Sequence, residues 1–132
     1  MPYFQIFMNN YNKIKSFRDL NTWQKSYQLI LEIYNLTDKF PRKEMYILVS
    51  QMRRCALSIA SNIAEGFTRI SKNEKRRFYN ISIGSIVELQ NQLIVSQGLK
   101  YIDKAEVNKL YKDLETIYKM TNGLIRSLNR TK

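Results

Sequence analysis

From Val107 onward, apolar residues recur at intervals of three and four: Val107, Leu110, Tyr111, Leu114, Ile117, Tyr118, Leu124, Ile125 and Leu128. Lys109, Lys112, Asp113, Glu115 and Lys119 fill the positions between them, which is the pattern of a helix with one buried stripe. A second stripe runs through Met45, Leu48, Val49, Met52, Cys55, Ala56, Ile59, Ile63 and Phe67. Boundary signals divide the chain. Ser71-x-x-Glu74 and Asp103-x-x-Glu106 have the form of capping boxes, and Ser16-x-x-Asp19 is a weaker start signal. Pro41 suits a first helical turn, and Gly98 reads as the glycine just past a helix end. The pattern predicts helices over 20–39, 42–66, 72–97 and 104–129. Matched lengths and short connections make neighbours antiparallel, so the expected fold is all-α, an up-down-up-down four-helix bundle. Residues 17–132 form its single domain, preceded by an N-terminal extension over 1–16.

The first helix carries two apolar faces rather than one. At about 100° per residue, Leu20, Trp23, Tyr27, Ile30, Leu31 and Tyr34 share one side. Leu29, Ile33, Leu36 and Phe40 share another, nearly opposite. Only Gln24, Lys25, Gln28, Glu32 and Asn35 leave a narrow polar arc. The expectation is self-association, with Leu29, Ile33, Leu36 and Phe40 as the oligomer interface; the alternative is that the extension covers this helix.

The stretch "SIASNIAEGF" departs from the plain pattern. Arg54, Ser58, Asn62 and Glu65 follow one line of the second helix, with Ser61 beside it and Gly66 at its end. Ser82, Gly84, Ser85, Glu88 and Gln92 form a matching set on the third. Small residues let helix axes approach, and the polar groups then satisfy one another across the contact. The expectation is a structural polar seam of Arg54, Ser58, Asn62, Glu65, Gly66, Ser85 and Glu88, with Arg54 the counter-ion of Glu65 or Glu88. The rival is a metal or catalytic site on the two glutamates, but such sites gather more acidic or imidazole ligands than these helices offer.

Composition narrows the chemistry. The 132-residue chain has no histidine, which removes Ser-His-Asp and Cys-His catalysis and His-ligated metal. The expectation is a protein that is not an enzyme, with no cofactor and no metal. A single cysteine, Cys55, rules out an intrachain disulfide; it reads as a small buried hydrophobe and fits a reducing, cytoplasmic compartment. No apolar run approaches the ~20 residues that span a bilayer, so no membrane partner is expected. The start, "MPYFQIFMNNYNKIKSF", lacks the order of a signal peptide, and Met8 offers a second initiation point.

The residues now carry a resemblance. "FPRKEMY", "QMRR", "SIASNIAEG", "GSIVEL" and the turn at Gly98 together resemble the four-helix-bundle family of 23S rRNA-intervening-sequence proteins, over roughly Phe17 to Leu128. The family motif falls on Gln51, Arg54, Ser58, Asn62, Glu65, Gly66, Ser85 and Glu88, as a signature of fold and assembly. The resemblance implies a homopentameric ring of a bacterial protein whose family has no defined molecular role. A more distant likeness is to the accessory protein of diversity-generating retroelements, a basic ring protein that binds nucleic acid and a reverse transcriptase. It implies that a reverse transcriptase is a possible protein partner.

The net charge of +11 gives that likeness a place to act. "RISKNEKRR" holds Arg69, Lys72, Lys75, Arg76 and Arg77, followed by Phe78 and Tyr79. Cations interleaved with aromatics suit phosphate contact and base stacking. Lys13, Lys15 and Arg18 precede the first helix, and Arg126, Arg130 and Lys132 close the chain. An up-down-up-down bundle gathers all three groups at one end. The expected function is RNA or DNA binding through this basic end, non-specific or shape-based, by a homo-oligomer. The alternative is a structural or protein-binding scaffold with no nucleic-acid role.

Overall fold

The structure, a computed structural model, describes residues 14–130. Among them four long helices pack as an all-α bundle: α1 (Asn21–Thr37), α2 (Ser50–Thr68), α3 (Lys72–Gly98) and α4 (Lys104–Arg130). Lys13 and Lys132 lie outside the described residues, as does most of the N-terminal extension. The α2–α3 pair makes the most extensive contact, followed by α3–α4 and α1–α2. The core lies along their shared axis, where Ile33, Met52, Ile59, Ile63, Ile86, Leu89, Leu93, Leu114 and Ile117 are fully buried.

The capping signals act where the sequence places them. Ser71 Oγ accepts from the Glu74 amide at 3.0 Å, and Asp103 Oδ1 accepts from the Glu106 amide at 2.8 Å. The Ser16–Asp19 box is also formed, but it opens a short 3₁₀ turn, Phe17–Asp19, ahead of α1. Pro41 leads into a 3₁₀ turn over Arg42–Glu44, then one turn of π winding over Met45–Val49, before regular α2 begins. This irregular entry leaves Tyr46 92% and Ile47 66% exposed. It is held from across the bundle: Tyr101 Oη donates to Glu44 Oε2 at 2.6 Å, and the Tyr101 ring lies 5.2 Å from Phe40. That hydrogen bond to a carboxylate is the first cause that raises the Tyr101 pKa.

Two expectations are corrected. Gly98 is the last helical residue of α3, and Lys100 takes the left-handed conformation instead, at φ 67°. Tyr101 N donates to Ser96 O and Lys100 N to Gln97 O, the paired bonds of a Schellman motif, so the left-handed position falls two residues later than the glycine. The oligomer interface assigned to Leu29, Ile33, Leu36 and Phe40 is likewise overturned. These residues are 1%, 0%, 6% and 7% exposed, buried in the bundle's own core. The helix has two apolar faces, as read, but the one assigned to the interface is the buried one; of the other, Leu20, Trp23 and Ile30 still pack on the core while Tyr27, Leu31 and Tyr34 stand outside. Periodicity finds the faces and cannot say which one turns inward. Thr22, Ser26 and Thr37 decide it, because each is buried alongside Leu29 and Ile33, two of them with the hydroxyl bonded to the backbone one turn earlier.

Candidate nucleic-acid interface and the polar seam

The chain enters the basic end through the turn between α2 and α3. α2 stops at Thr68, Arg69 turns extended, and Ser71 caps α3. Ile70 therefore projects from the turn and is 98% exposed. Around it the cations divide by task. The Arg69 guanidinium donates to Glu65 Oε2 at 2.9 Å and lies 4.8 Å from the Phe78 ring centre. Arg77 lies over the same ring at 4.9 Å and pairs with Glu74 at 3.7 Å. Phe78 thus holds two guanidinium groups in place beside the turn. Both ion pairs are solvent-exposed and contribute little to stability.

Lys75 is spent on structure. Its ammonium donates to Phe67 O at 2.7 Å and Gly66 O at 3.3 Å, closing the exposed carbonyls at the end of α2. Partial burial lowers its pKa. Tyr79, expected beside Phe78 as a stacking ring, is 3% exposed and belongs to the core, and burial raises its phenol pKa. Arg76 reaches from α3 to Asn129 Oδ1 on α4 at 3.1 Å, so the start of α3 and the end of α4 meet as the topology requires. Lys72 and Arg130 are exposed at this end, and Lys15 and Arg18 are exposed just before α1. Arg126 is displaced onto the flank, where it lines a hollow with Gln90, Tyr118 and Asn122.

Just beyond the turn lies the seam between α2 and α3. Ser58 Oγ and Ser85 Oγ share a hydrogen bond of 2.8 Å across the two helices. Asn62 Nδ2 donates to Ser58 O and Ser58 Oγ, at 2.8 and 3.1 Å. Ser82 Oγ, wholly buried, donates to Ile59 O at 2.9 Å. Gly66 sits so close to α3 that a Cβ there would meet the Tyr79 ring at 2.6 Å. These contacts draw the two helices together.

The charged members of the seam behave otherwise. No ion pair joins Arg54 to Glu65 or Glu88 among the described residues, and Glu65 pairs with Arg69 instead. Arg54 lies on the exposed side of α2 and lines a hollow with Tyr34, Tyr46 and Leu57. Glu88 faces Cys55. Burial first, then the hydrogen bond and charge of Glu88, push the Cys55 thiol up to about 11. Gly84 faces open space and takes no part in the close approach. Gln92 is buried, with Oε1 lacking a hydrogen-bond partner. The contacts that the sequence reading missed are Tyr79 against Gly66 and Lys75 on the α2 carbonyls. The second had a signal, since a lysine one turn into the next helix is well placed to cap the last one.

Among the described residues no helix is long and apolar enough to cross a membrane. No curated protein matches the chain. Among solved structures, one similar chain is a protein with unknown function from the S23 ribosomal protein family of Bacteroides thetaiotaomicron. It aligns at 22% identity and a TM-score of 0.74, covering 80% of this chain and 95% of its own. At that identity the likeness speaks for the fold. The profile of the 23S rRNA-intervening sequence proteins matches residues 18–123, nearly the whole described bundle, and the chain belongs to that family.

Proposed function

We propose that the protein is a non-enzymatic, homo-oligomeric bundle that binds RNA or DNA on its basic end, by charge and shape rather than base-specific readout. The observation that carries this reading is the arrangement around the α2–α3 turn. Arg69 and Arg77 are positioned by one aromatic ring, and Arg76 is tied to α4. Cations pre-positioned in this way contact phosphates at low entropic cost. Ile70, almost fully exposed among them, offers an apolar contact for an unstacked base. The net charge of +11 adds long-range attraction for any polyanion.

Homo-oligomerisation, with five copies following from the family resemblance, is supported by a different surface than the sequence suggested. On the outer side of α3, Ile81, Val87, Ile94 and Val95 are 41–53% exposed. A β-branched apolar stripe of this length on a soluble helix face suits contact with another subunit. Repetition around a ring would turn one basic end into a continuous basic surface.

Fluorescence anisotropy with single- and double-stranded RNA and DNA tests the binding. Affinity should fall steeply between about 50 and 200 mM salt, as phosphate contacts require. Arg76→Glu combined with Arg77→Glu should weaken it about tenfold or more at low salt, with the helical signal unchanged. No binding at low salt, or binding indifferent to this charge reversal, would sink the proposal.

A further inference from the structure

The flank between α3 and α4 holds a hollow of about 520 Å³, within the size range of small-ligand sites. All of its walls but Gln90 stand on α4, where Tyr111, Glu115, Tyr118, Asn122 and Arg126 follow one line over about 22 Å. Periodicity counts Tyr111 and Tyr118 with the buried stripe of α4. Yet Tyr118 is 38% exposed, while Leu114, Ile117 and Thr121 are fully buried. The core closes without Tyr118, which lines the hollow instead. The polar groups here are uncommitted. Among the described residues, neither ring packs on another ring, and Gln90, Lys119, Asn122 and Arg126 bond to no neighbouring side chain. At the α2–α3 turn, by contrast, Arg69, Lys75, Arg76 and Arg77 each hold a partner within the chain.

This combination suits a nucleotide. Tyrosine rings offer a stacking surface for a base, and the amides of Gln90 and Asn122 match the donors and acceptors on its edge. Arg126, with Lys119, supplies positive charge for the phosphate. Glu115 stands about 16 Å along the helix from Arg126, so its carboxylate meets the base end rather than the phosphate. The hollow is also continuous with the basic end. Arg126 lies one turn before Asn129 and Arg130, and Asn129 accepts from Arg76. A strand held by those cations reaches the hollow without leaving the protein surface. In a duplex, the base faces are already stacked on their neighbours and cannot lie on Tyr118.

We infer that this hollow seats an unpaired nucleotide of the bound strand, its base against Tyr118 and its phosphate on Arg126. The protein therefore takes single strands in preference to duplexes. The inference rests on nucleic-acid binding at the basic end and adds to it the class of strand. Stacking of this kind tolerates every base, in keeping with binding by charge and shape.

Anisotropy with single-stranded and duplex oligonucleotides of equal length tests this on the full chain. Tyr118→Ala should weaken single-strand binding about tenfold and leave duplex binding unchanged, while Tyr118→Phe should match the unsubstituted chain. Equal losses on both forms, or no loss on single strands, would overturn it. Photo-cross-linking gives a second measure: iodouridine in the strand should form adducts on Tyr118, mapped by peptide mass spectrometry. Adducts confined to the α2–α3 turn would overturn it. Free AMP at micromolar concentration should not compete with the strand; if it does, the ligand is a soluble nucleotide and the strand is excluded. The two readings fail separately. If Arg76→Glu with Arg77→Glu leaves binding intact while Tyr118→Ala still releases single strands, the basic end is wrong and the hollow stands. If the charge reversal weakens binding and Tyr118→Ala does not, only the hollow falls. If no nucleic acid binds at low salt, both fall.

Discussion

α3 and α4 are each 27 residues long and lie side by side, yet their sequences read very differently. α4 turns Val107, Leu110, Leu114, Ile117 and Leu128 inward and polar residues outward. α3 buries Ser82, Gln92 and Ser96 among its core residues while leaving Ile81, Val87, Ile94 and Val95 outside. The difference follows from what each helix touches. α4 serves one core and needs one apolar stripe. α3 must approach α2 closely, which requires small side chains such as Ser82 and Ser85 that bond to the neighbouring helix, while its outward apolar residues are left about half exposed. On the proposed reading, that half-exposed apolar face is where another copy of the chain would pack.

The sharpest way to break this comparison is to put a charge on each face of α3. Leu89→Glu places an uncompensated carboxylate in a fully buried position. It should cost about 4 kcal/mol or more and abolish cooperative melting by circular dichroism. Ile94→Glu, on the exposed face, should change stability by no more than about 0.5 kcal/mol. Its effect should appear instead in mass, as a smaller assembly by light scattering. If Ile94→Glu melts the fold, the outer face is part of the core. If the mass is unchanged, that face is not where copies meet. Leu29→Glu and Ile33→Glu belong with Leu89→Glu: they would unfold the chain rather than dissociate an assembly.

Cys55 sharpens the seam from the inside. Its raised thiol pKa, about 11 against an ordinary 9.0, arises from burial and from Glu88. At pH 8 its thiolate fraction is lower by about a hundredfold, a factor of ten per unit. Alkylation by iodoacetamide should be slowed at least that much, since burial also blocks access, while a thiol introduced by Gln51→Cys on the exposed side of α2 should react at a normal rate. The sign for stability follows. The unfolded thiol ionises near 9 and the folded one near 11, so the thiol's contribution is complete below pH 9 and declines between the two. Equal alkylation rates for the two thiols would mean that the seam is open to water.

The glycines divide along the same line. Gly66→Ala drives a methyl group into the Tyr79 ring, and with Tyr79 itself buried, overpacking should cost about 1–3 kcal/mol in chemical denaturation. Gly84→Ala has open space around it and should stabilise α3 by about 0.5–1 kcal/mol. The two glycines looked equivalent in sequence, each flanked by small and acidic residues, because sequence gives the side of a helix but not its distance from the next one.

The four helices were legible because each is long, periodic and punctuated by Ser71, Asp103 and Pro41, signals that act through local backbone chemistry. The seam was legible in part: Ser58 and Ser85 do meet, since short side chains at matched positions have few other partners. Arg54 and Glu65 were misassigned because long charged side chains reach several neighbours, and the ion pair of Glu65 with Arg69, four residues on and just past the end of α2, costs less to form than one across the seam. The winding at Met45–Val49 had no local signature, being set by the contacts of Glu44 and Phe40 with Tyr101. The inward face of α1 was hidden because Leu29 and Tyr27 count equally in a periodicity, and the buried threonines and serine that separate them look polar.

The smallest effect concerns the end of α3, where the two helices of the opening comparison join. The sequence points to Gly98 as the residue that releases the helix, but Gly98 keeps helical geometry and a Cβ there meets nothing within 4 Å. The left-handed position belongs to Lys100, where a Cβ crowds the carbonyl and costs about 1–2 kcal/mol relative to glycine. Lys100→Gly removes that cost and gives back part of it through a more flexible unfolded chain, for a net gain of about 0.5–1 kcal/mol. Gly98→Ala should also stabilise, by a similar helix-propensity gain. Both substitutions raising the denaturation midpoint would place the Schellman turn at Lys100. If Gly98→Ala destabilised the protein while Lys100→Gly left it unchanged, the left-handed residue would be the glycine after all, and α3 would end two residues sooner than α4's packing requires.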